Sequence, residues 1–323
     1  SRTTHPGSVQ ISLGGVGRNI AHAAQVLIDA LWEPSAGPPK REVQTIAPIC
    51  ADSTGDFLKG AWGSQTSFLR TDGLFVPPSS GRHQTPAASL TLTADGDLHS
   101  GIINTSLMED AFTPTQVTDA YARAPRATHV AFDCNLSVQG INSVLTEASR
   151  RNAFLLCEPT SLPKASRIVH GLHQAGFLGK RHVLGAITPN VIELHEIARA
   201  MLELVPQASS LSKEEEEQIS AMLSLELLDE HTTRAALVVA RMLGPVFLTL
   251  GHRGVLSIVP PSPSHADWLI VHATPPVSGK VDVVNTTGAG DTLAGALLAL
   301  AHLAARKNPA YTDPQELWRS PLI

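Results

Sequence analysis

The chain has 323 residues and a mass of 34.2 kDa, enough for one large α/β core or two smaller ones. Its formal net charge of −5, with 16% charged and 4% aromatic residues, excludes the basic field and the stacking platform of a nucleic-acid binder. The apolar run 293–305 is interrupted by His302 and is too short to span a bilayer. No basic-then-apolar leader opens the sequence. Cys50, Cys134 and Cys157 are widely spaced with no Cys-x-x-Cys pair, so reduced, buried thiols in a cytoplasmic protein are expected. The 14 histidines form no His-x-His or His-x-x-x-His pair, and no metal is assigned to them.

In chain order, residues 8–13 alternate like a strand. The turn Gly14-Gly15-Val16-Gly17-Arg18-Asn19 then opens a helix that runs to Leu31 with apolar spacing at Ile20, Ala24, Leu27 and Ile28. A glycine-rich strand-to-helix turn can signal a dinucleotide site. Here the third glycine of that spacing is missing and no ribose-binding acid follows, which leaves a nicotinamide oxidoreductase the weakest candidate. Residues 34–40 form a Pro/Gly loop, 43–49 a strand, and Asp56 starts a helix. A β-rich section follows, with strands at 66–69, 88–93 and 98–103. The last two are joined by Ala94-Asp95-Gly96-Asp97, in which Asp-Gly supplies the positive-φ residues of a tight hairpin. From Pro114 the pattern becomes helix (114–122), strand (128–132), helix (137–151), strand (153–157), the signature of a parallel sheet covered on both faces. Asp133, Asn135, Glu158 and Lys164 lie just past strand ends, where such sheets line their crevices.

Thr188 and Pro189 read as the cap and first residue of another helix, with Asn190 and Glu193 on one face of it. The acidic run 214–217 reads as a solvated first turn, and the helices to about Met242 as an insertion between core elements. A strand at 246–250 turns through Gly251-His252-Arg253-Gly254 into a strand at 255–259. Strands at 268–273 and 281–283 lead to Asn285-Thr286-Thr287-Gly288-Ala289-Gly290-Asp291, which opens a long apolar helix. The first N–H groups of such a helix lack internal partners and carry the positive end of its dipole, so the turn suits an anion. A carboxylate beside an anion site needs another task, and taking a proton from an attacking hydroxyl is one. The structural alternative is a first-turn carboxylate favoured by the dipole.

Gly14-Gly15-x-x-x-Asn19 and Gly288-Ala289-Gly290-Asp291, with weaker motifs in matching order between them, resemble the PfkB (ribokinase-like) carbohydrate kinases. The weaker ones are Asp56-Phe57-Leu58-Lys59-Gly60, one residue longer than the family's Asp-x-x-Gly that it resembles, Asn190-x-x-Glu193 and Thr249-x-Gly251-x-x-Gly254. The strings Gly-Gly-Val-Gly-Arg-Asn-Ile-Ala, Asp-x-Asn-Leu-Ser and Glu-Pro-Thr-Ser-x-Pro-Lys, together with the run-up at residues 4–9, are similar to the pseudouridine kinase branch. The resemblance implies a ribokinase-like three-layer α/β fold. Residues 1–323 would form one domain with a mainly parallel central sheet and a small β lid drawn from about 66–103. It implies ATP-dependent phosphorylation of the 5′-hydroxyl of pseudouridine, with Asp291 as the base and Gly288, Ala289 and Gly290 as the anion hole. Gly14, Gly15, Asn19 and Arg18 would line the nucleoside pocket. Thr249, Gly251, Gly254 and Thr287 would approach the nucleotide. Asn190 and Glu193 would order Mg²⁺ and phosphate mostly through water, which makes Glu193 an indirect metal residue.

ATP and Mg²⁺ are thus the expected cofactors, with K⁺ left open, as are a homodimer and fusion to a pseudouridine-cleaving glycosidase. The sequence departs from the family at both ends. The usual first strand, with its sugar-binding Asp, has no counterpart before Gly14, and little follows the last long helix. Two alternatives therefore stay open: a sister kinase for ribose, another nucleoside or a fructose phosphate, and a non-catalytic binding module of the same fold.

Overall fold

The computed structural model describes residues 11–32, 43–65, 72–92, 98–180, 183–223, 226–275, 286–308 and 314–319. Outside them lie the run-up at 4–9, the loop 34–40, the strand expected at 66–69, the hairpin tip 94–97 and the strand expected at 281–283. Of the first expected strand only residues 11–13 are described. Among the described residues they pair with none, and Ile11 is exposed.

Helix α1 (Val16–Ala30) follows Gly15, whose φ of 102° suits a residue without a Cβ. It buries Ile20, Ala21, Ala24 and Ile28, the face that its apolar spacing foretells. β1 (Ala47–Pro48), much shorter than the 43–49 strand expected, pairs in parallel with β2 (Leu74–Phe75) across α2 (Ser53–Gln65). β3 (Ala87–Leu92) and β4 (Leu98–Asn104) form a separate antiparallel hairpin, irregular between Thr91 and Leu92, as the Asp-Gly signal predicts. Leu90, Ile102 and Ile103 on it are exposed. The short α3 (Ser106–Ala111) leads from the hairpin to α4 (Pro114–Arg123).

The central sheet begins with β5 (His129–Asp133), α5 (Val138–Arg150), β6 (Phe154–Glu158), α6 (Leu162–Ala165), α7 (Arg167–Gln174) and β7 (Ala186–Ile187). It continues with α8 (Val191–Leu204), α9 (Lys213–Leu223), α10 (Glu230–Leu243), β8 (Val246–Thr249), β9 (Val255–Val259) and β10 (Leu269–Ala273). The chain closes with α11 (Ala289–Lys307) and α12 (Pro314–Trp318). Strand order is β10-β9-β8-β7-β6-β5, parallel from β5 to β8 and antiparallel at β8-β9 and β9-β10.

Both faces of this sheet are covered, and strand alternation shows how. On β6 and β8, Leu155, Cys157, Val246 and Leu248 pack into the core formed with α4, α5, α7, α8 and α10. Their neighbours Phe154, Leu156 and Phe247 point the other way, against Ile20 of α1 and Ala294, Leu297, Ala301 and Ala304 of α11. Side chains of period two thus supply both interfaces of a three-layer α/β/α stack. All five residues of β6 are buried, the continuous pattern of a strand covered twice.

Two sequence expectations are corrected. The cap of α8 is Asn190, not Thr188. Asn190 Oδ1 accepts from Glu193 N and Glu193 Oε2 accepts from Asn190 N, each at 2.9 Å. Pro189 cannot start the helix because its carbonyl accepts Thr249 N at 2.9 Å and Asn190 bridges to Thr249 like a strand residue. Nor are the helices before Met242 an insertion. α10 buries seven apolar residues, among them Leu237, Val239 and Leu243, in the main core. Within the acidic run, Glu214, Glu216 and Glu217 are exposed, but Glu215 is buried and paired with Arg241 at 2.8 Å.

Candidate active site

The C-terminal ends of the parallel strands meet the N-terminal ends of α1 and α11. Neither helix has a side-chain cap, and each follows a glycine of positive φ, Gly15 at 102° and Gly288 at 84°. Uncapped first turns leave backbone N–H groups and the positive dipole end open to an anion. At Gly288 the left-handed backbone disfavours any other residue, and an added Cβ would lie 3.5 Å from Asn19 Nδ2. Gly14, Gly15 and Gly290 face open space. Ala289 N–H donates to the Thr286 carbonyl at 3.2 Å and Thr292 N–H to the Gly288 carbonyl at 2.9 Å, which fixes the turn. Thr287 is exposed beside it.

Asn19 and Asp291 are brought into direct contact: Asn19 Nδ2 donates to Asp291 Oδ2 at 2.8 Å, bridging 272 positions of sequence. Arg18, expected in the substrate pocket, donates from Nη1 to Asn19 Oδ1 at 3.2 Å. Its Nε is buried without a hydrogen-bond partner, so the guanidinium is not a freely solvated surface group. Burial raises the Asp291 carboxyl above the usual carboxylate range, against the opposing effect of the Asn19 bond. Asp291 is therefore a stronger base than an exposed aspartate.

Three further carboxyls stand nearby. Asp133 ends β5, and its Oδ1 accepts Asn135 N–H at 2.8 Å. Burial raises it, and the Asp291 charge adds to the effect. Glu158 ends β6 with Oε2 buried and unpartnered. It is pushed up to about 8, first by burial and then by the charges of Glu193, Asp133 and Asp291. Glu193 is also raised by burial. Glu158 bears the charges of Glu193, Asp133 and Asp291, and a cation nearby would offset them and give its Oε2, unpartnered among the described residues, a counterpart. Among the described residues no group of His, Cys, Asp or Glu is arranged to hold a metal ion by itself. The residues thus suit an ion kept mostly on water and phosphate, as Mg²⁺ commonly is.

Two positive groups border the carboxyls. Lys164 Nζ donates to Asn135 Oδ1 at 2.6 Å and to Thr105 Oγ1 at 3.0 Å, and burial lowers it. Arg167, which the sequence reading missed, donates from Nη1 to the carbonyls of Cys134, Asn135 and Leu136 and from Nη2 to Glu109. No local pattern marks such a clamp, because its partners lie on distant elements. Thr160, on the loop after β6, holds a φ of 73°, unusual for a β-branched residue. Its Oγ1 accepts Cys134 N–H at 3.1 Å, tying that loop to the end of β5.

The expected nucleotide-side residues form a second group. Thr249 and Asn190 are joined through their strand-like bridge. Gly251 has φ 62° and faces open space. Gly254, φ 93°, is packed so closely that an added Cβ would lie 2.0 Å from the Ala273 carbonyl, which makes it a structural glycine. Among the described residues no hydrogen bond joins Thr249, Gly251 or Gly254 to Asn19 or Asp291; Glu193, the partner of Asn190 in its cap, bears by its charge on Glu158.

Residues 154–309 match the model of the pfkB family of carbohydrate kinases. No curated protein matches the chain. Among solved structures, Arabidopsis thaliana ribokinase complexed with ribose and ATP aligns over 91% of this chain and 75% of its own, with a TM-score of 0.57 and 16% identity. Anopheles gambiae adenosine kinase in complex with P1,P4-di(adenosine-5) tetraphosphate aligns over 94% and 77%, with a TM-score of 0.60 and 15% identity. A carbohydrate kinase from Agrobacterium tumefaciens aligns over 95% and 79%, with a TM-score of 0.55 and 19% identity. The chain has a ribokinase-like α/β fold.

Proposed function

We propose that the chain is an ATP-dependent kinase that phosphorylates the 5′-hydroxyl of pseudouridine. The observation that carries the reading is the 2.8 Å bond between Asn19 and Asp291, which joins the two end motifs beside two uncapped helix starts. Base, hydroxyl-binding amide and anion-favouring backbone are what phosphoryl transfer asks of a protein, since the reaction depends mostly on positioning and electrostatics. The acceptor choice rests on the strings around Gly14–Asn19 and Glu158–Lys164. The site's position at the strand ends, in a fold shared with ribokinase and adenosine kinase, supports a sugar or nucleoside acceptor.

The hydroxyl meets Asp291 at Oδ1, beside the Asn19 amide and near the glycine faces of Gly14 and Gly15. Its oxygen attacks the γ-phosphorus of ATP, the bond to the β-bridging oxygen breaks, ADP leaves, and the hydroxyl proton passes to Asp291. The N–H groups of Gly288 and Gly290 hold the transferring phosphoryl, while Ala289 N–H, engaged with Thr286, keeps the turn in shape. Asn190 and Glu193 order the water around the phosphates, and Thr249, Gly251, Gly254 and Thr287 flank the nucleotide. Mg²⁺, when bound, would neutralise phosphate charge beside the carboxyls of Asp133, Glu193 and Asp291. The three free, buried cysteines suit a reducing cytoplasm, and among the described residues no helix is long and apolar enough to cross a membrane.

The test is ATP consumption with Mg²⁺ and K⁺ against pseudouridine, uridine, ribose and fructose 6-phosphate, with product mass as the readout. Pseudouridine 5′-phosphate is the expected product. Phosphorylation of ribose or another nucleoside instead would keep the chemistry and overturn the acceptor. Nucleotide binding with no product from any acceptor would replace the kinase reading by that of a binding module.

A further inference from the structure

We propose that Arg18 is a positioning residue for the base: its guanidinium fixes the amide of Asn19 so that Nδ2 holds Asp291 Oδ2 and leaves Asp291 Oδ1 for the substrate hydroxyl. The proposal rests on the kinase reading for the role of Asp291, but its geometry stands apart from the identity of the acceptor. A guanidinium can only donate hydrogen bonds. The 3.2 Å contact from Arg18 Nη1 therefore requires the carbonyl oxygen of Asn19 on its side, and this turns the amide nitrogen toward Asp291, where it donates at 2.8 Å. Arg18 and the ionised Asp291, which can only accept, select the same sense of the Asn19 amide. Without Arg18 the carboxylate alone holds it, and a protonated Asp291 no longer does. With its oxygen toward Asp291, the amide would repel the carboxylate instead of holding it.

The donor inventory leaves the site able to work. Asn19 spends one N–H on Asp291 and one lone pair on Arg18, so one N–H and one lone pair remain for a hydroxyl. Among the described residues none donates to Asp291 Oδ1, so that oxygen is the acceptor in reach of the substrate. Arg18 lies in the first turn of α1 with its Nε buried and unpartnered. Burying an unsatisfied donor is costly, and a solvated surface arginine would not incur that cost. The groups that face Asp291 are Asn19 on α1, Asp133 on β5 and Glu158 on β6. Arg18 and His22 lie beyond Asn19 on α1, and Glu193 on α8 faces Glu158. Asp291 itself is governed by its burial and by the Asn19 bond. The influence of Arg18 is thus routed through Asn19.

The experiment is a carboxyl-carbon NMR titration of Asp291 in the full chain, assigned by the signal lost in Asp291→Asn, which reads the relay whether or not any acceptor is phosphorylated. Asn19→Ala removes the bond that favours the ionised carboxylate, so the midpoint should rise. A rise of one unit is about a tenfold change in the protonated fraction at a pH between the two midpoints. Arg18→Met should move it the same way, Arg18→Lys should largely restore it, and Arg18→Met should add nothing in the Asn19→Ala background. If the parent phosphorylates an acceptor, the acid limb of kcat should move with the midpoint while the KM for ATP stays put. An unchanged midpoint in Asn19→Ala overturns the relay. An Arg18→Met shift that persists in the Asn19→Ala background overturns it too, because the guanidinium would then act as a free charge. A relay intact in a chain that phosphorylates nothing leaves this proposal standing and removes the kinase reading.

Discussion

Glu158 shows how a single residue reports on the site. Its carboxyl is pushed from an ordinary value near 4.5 to about 8, so the folded protein keeps a proton there that the unfolded chain releases. Between those values the unfolded state binds fewer protons, and stability falls as pH rises. Glu158→Gln removes the titrating group. Relative to the parent it should gain on the order of a few kcal/mol between pH 5 and pH 8, read by urea unfolding at both values. A constant difference between the two proteins would mean that Glu158 is ionised in the fold. The comparison must be with the parent, since His129, held down to about 4 by burial, imposes the opposite slope on its acid side. The sequence placed Glu158 at a strand end but gave no hint of its proton, because that depends first on burial in the fold and then on Glu193, Asp133 and Asp291 from three other elements. The cap of α8 was equally readable and equally missed. Asn190-x-x-Glu193 is a capping-box spacing, and the competing Thr188-Pro189 signal lost to a tertiary bond from Thr249 to the Pro189 carbonyl.

At the scale of elements, the site depends on two helices meeting closely at their starts. α1 and α11 touch where Gly295 replaces a side chain: an added Cβ would stand 2.4 Å from the Ile20 carbonyl and 2.7 Å from Ala23 Cβ. Gly295→Ala gains up to about 1 kcal/mol of helix propensity but forces the two backbones apart, and overpacking of this kind costs about 1–3 kcal/mol. The clash should win, with a lower urea midpoint and slower turnover as Asn19 draws away from Asp291. A stabilised, fully active variant would show slack between the helices and break the link between their packing and the base. Both helices were legible from spacing and from the glycine turns that open them. Their mutual approach was not, since a glycine inside an apolar helix looks the same whether it faces water or a neighbouring backbone. The short helices α3, α6 and α7 also escaped the sequence reading. α3 and α6, at six residues or fewer, offer almost no period to detect.

Across the whole molecule, alternation along β6 and β8 divides the chain into two helical layers, and the parallel strand ends collect the carboxyls on one edge. This much of the architecture was readable from the strand–helix alternation after Pro114. The connection between the β3-β4 hairpin and that edge was not. It runs through Lys164 to Thr105 and Arg167 to Glu109, pairs separated by 59 and 58 positions. The base of the hairpin is thereby fastened to the same loop, Cys134 to Leu136, that carries Asn135 beside the carboxyls. Residues from one end of the sequence to the other are needed to make the site, which is why its weaker motifs mattered mostly for their order.

The most direct measurement of the central claim compares Asp291→Asn with the parent protein in single-turnover phosphoryl transfer, with ATP affinity measured on the same samples. A positioned base is worth about 10²–10⁴-fold in rate, so the variant should lose at least ~10²-fold while its ATP affinity stays close to that of the parent. Transfer within a few-fold of the parent would contradict the account, because the residue at the meeting point of α1, α11 and the sheet edge would then not be taking the proton.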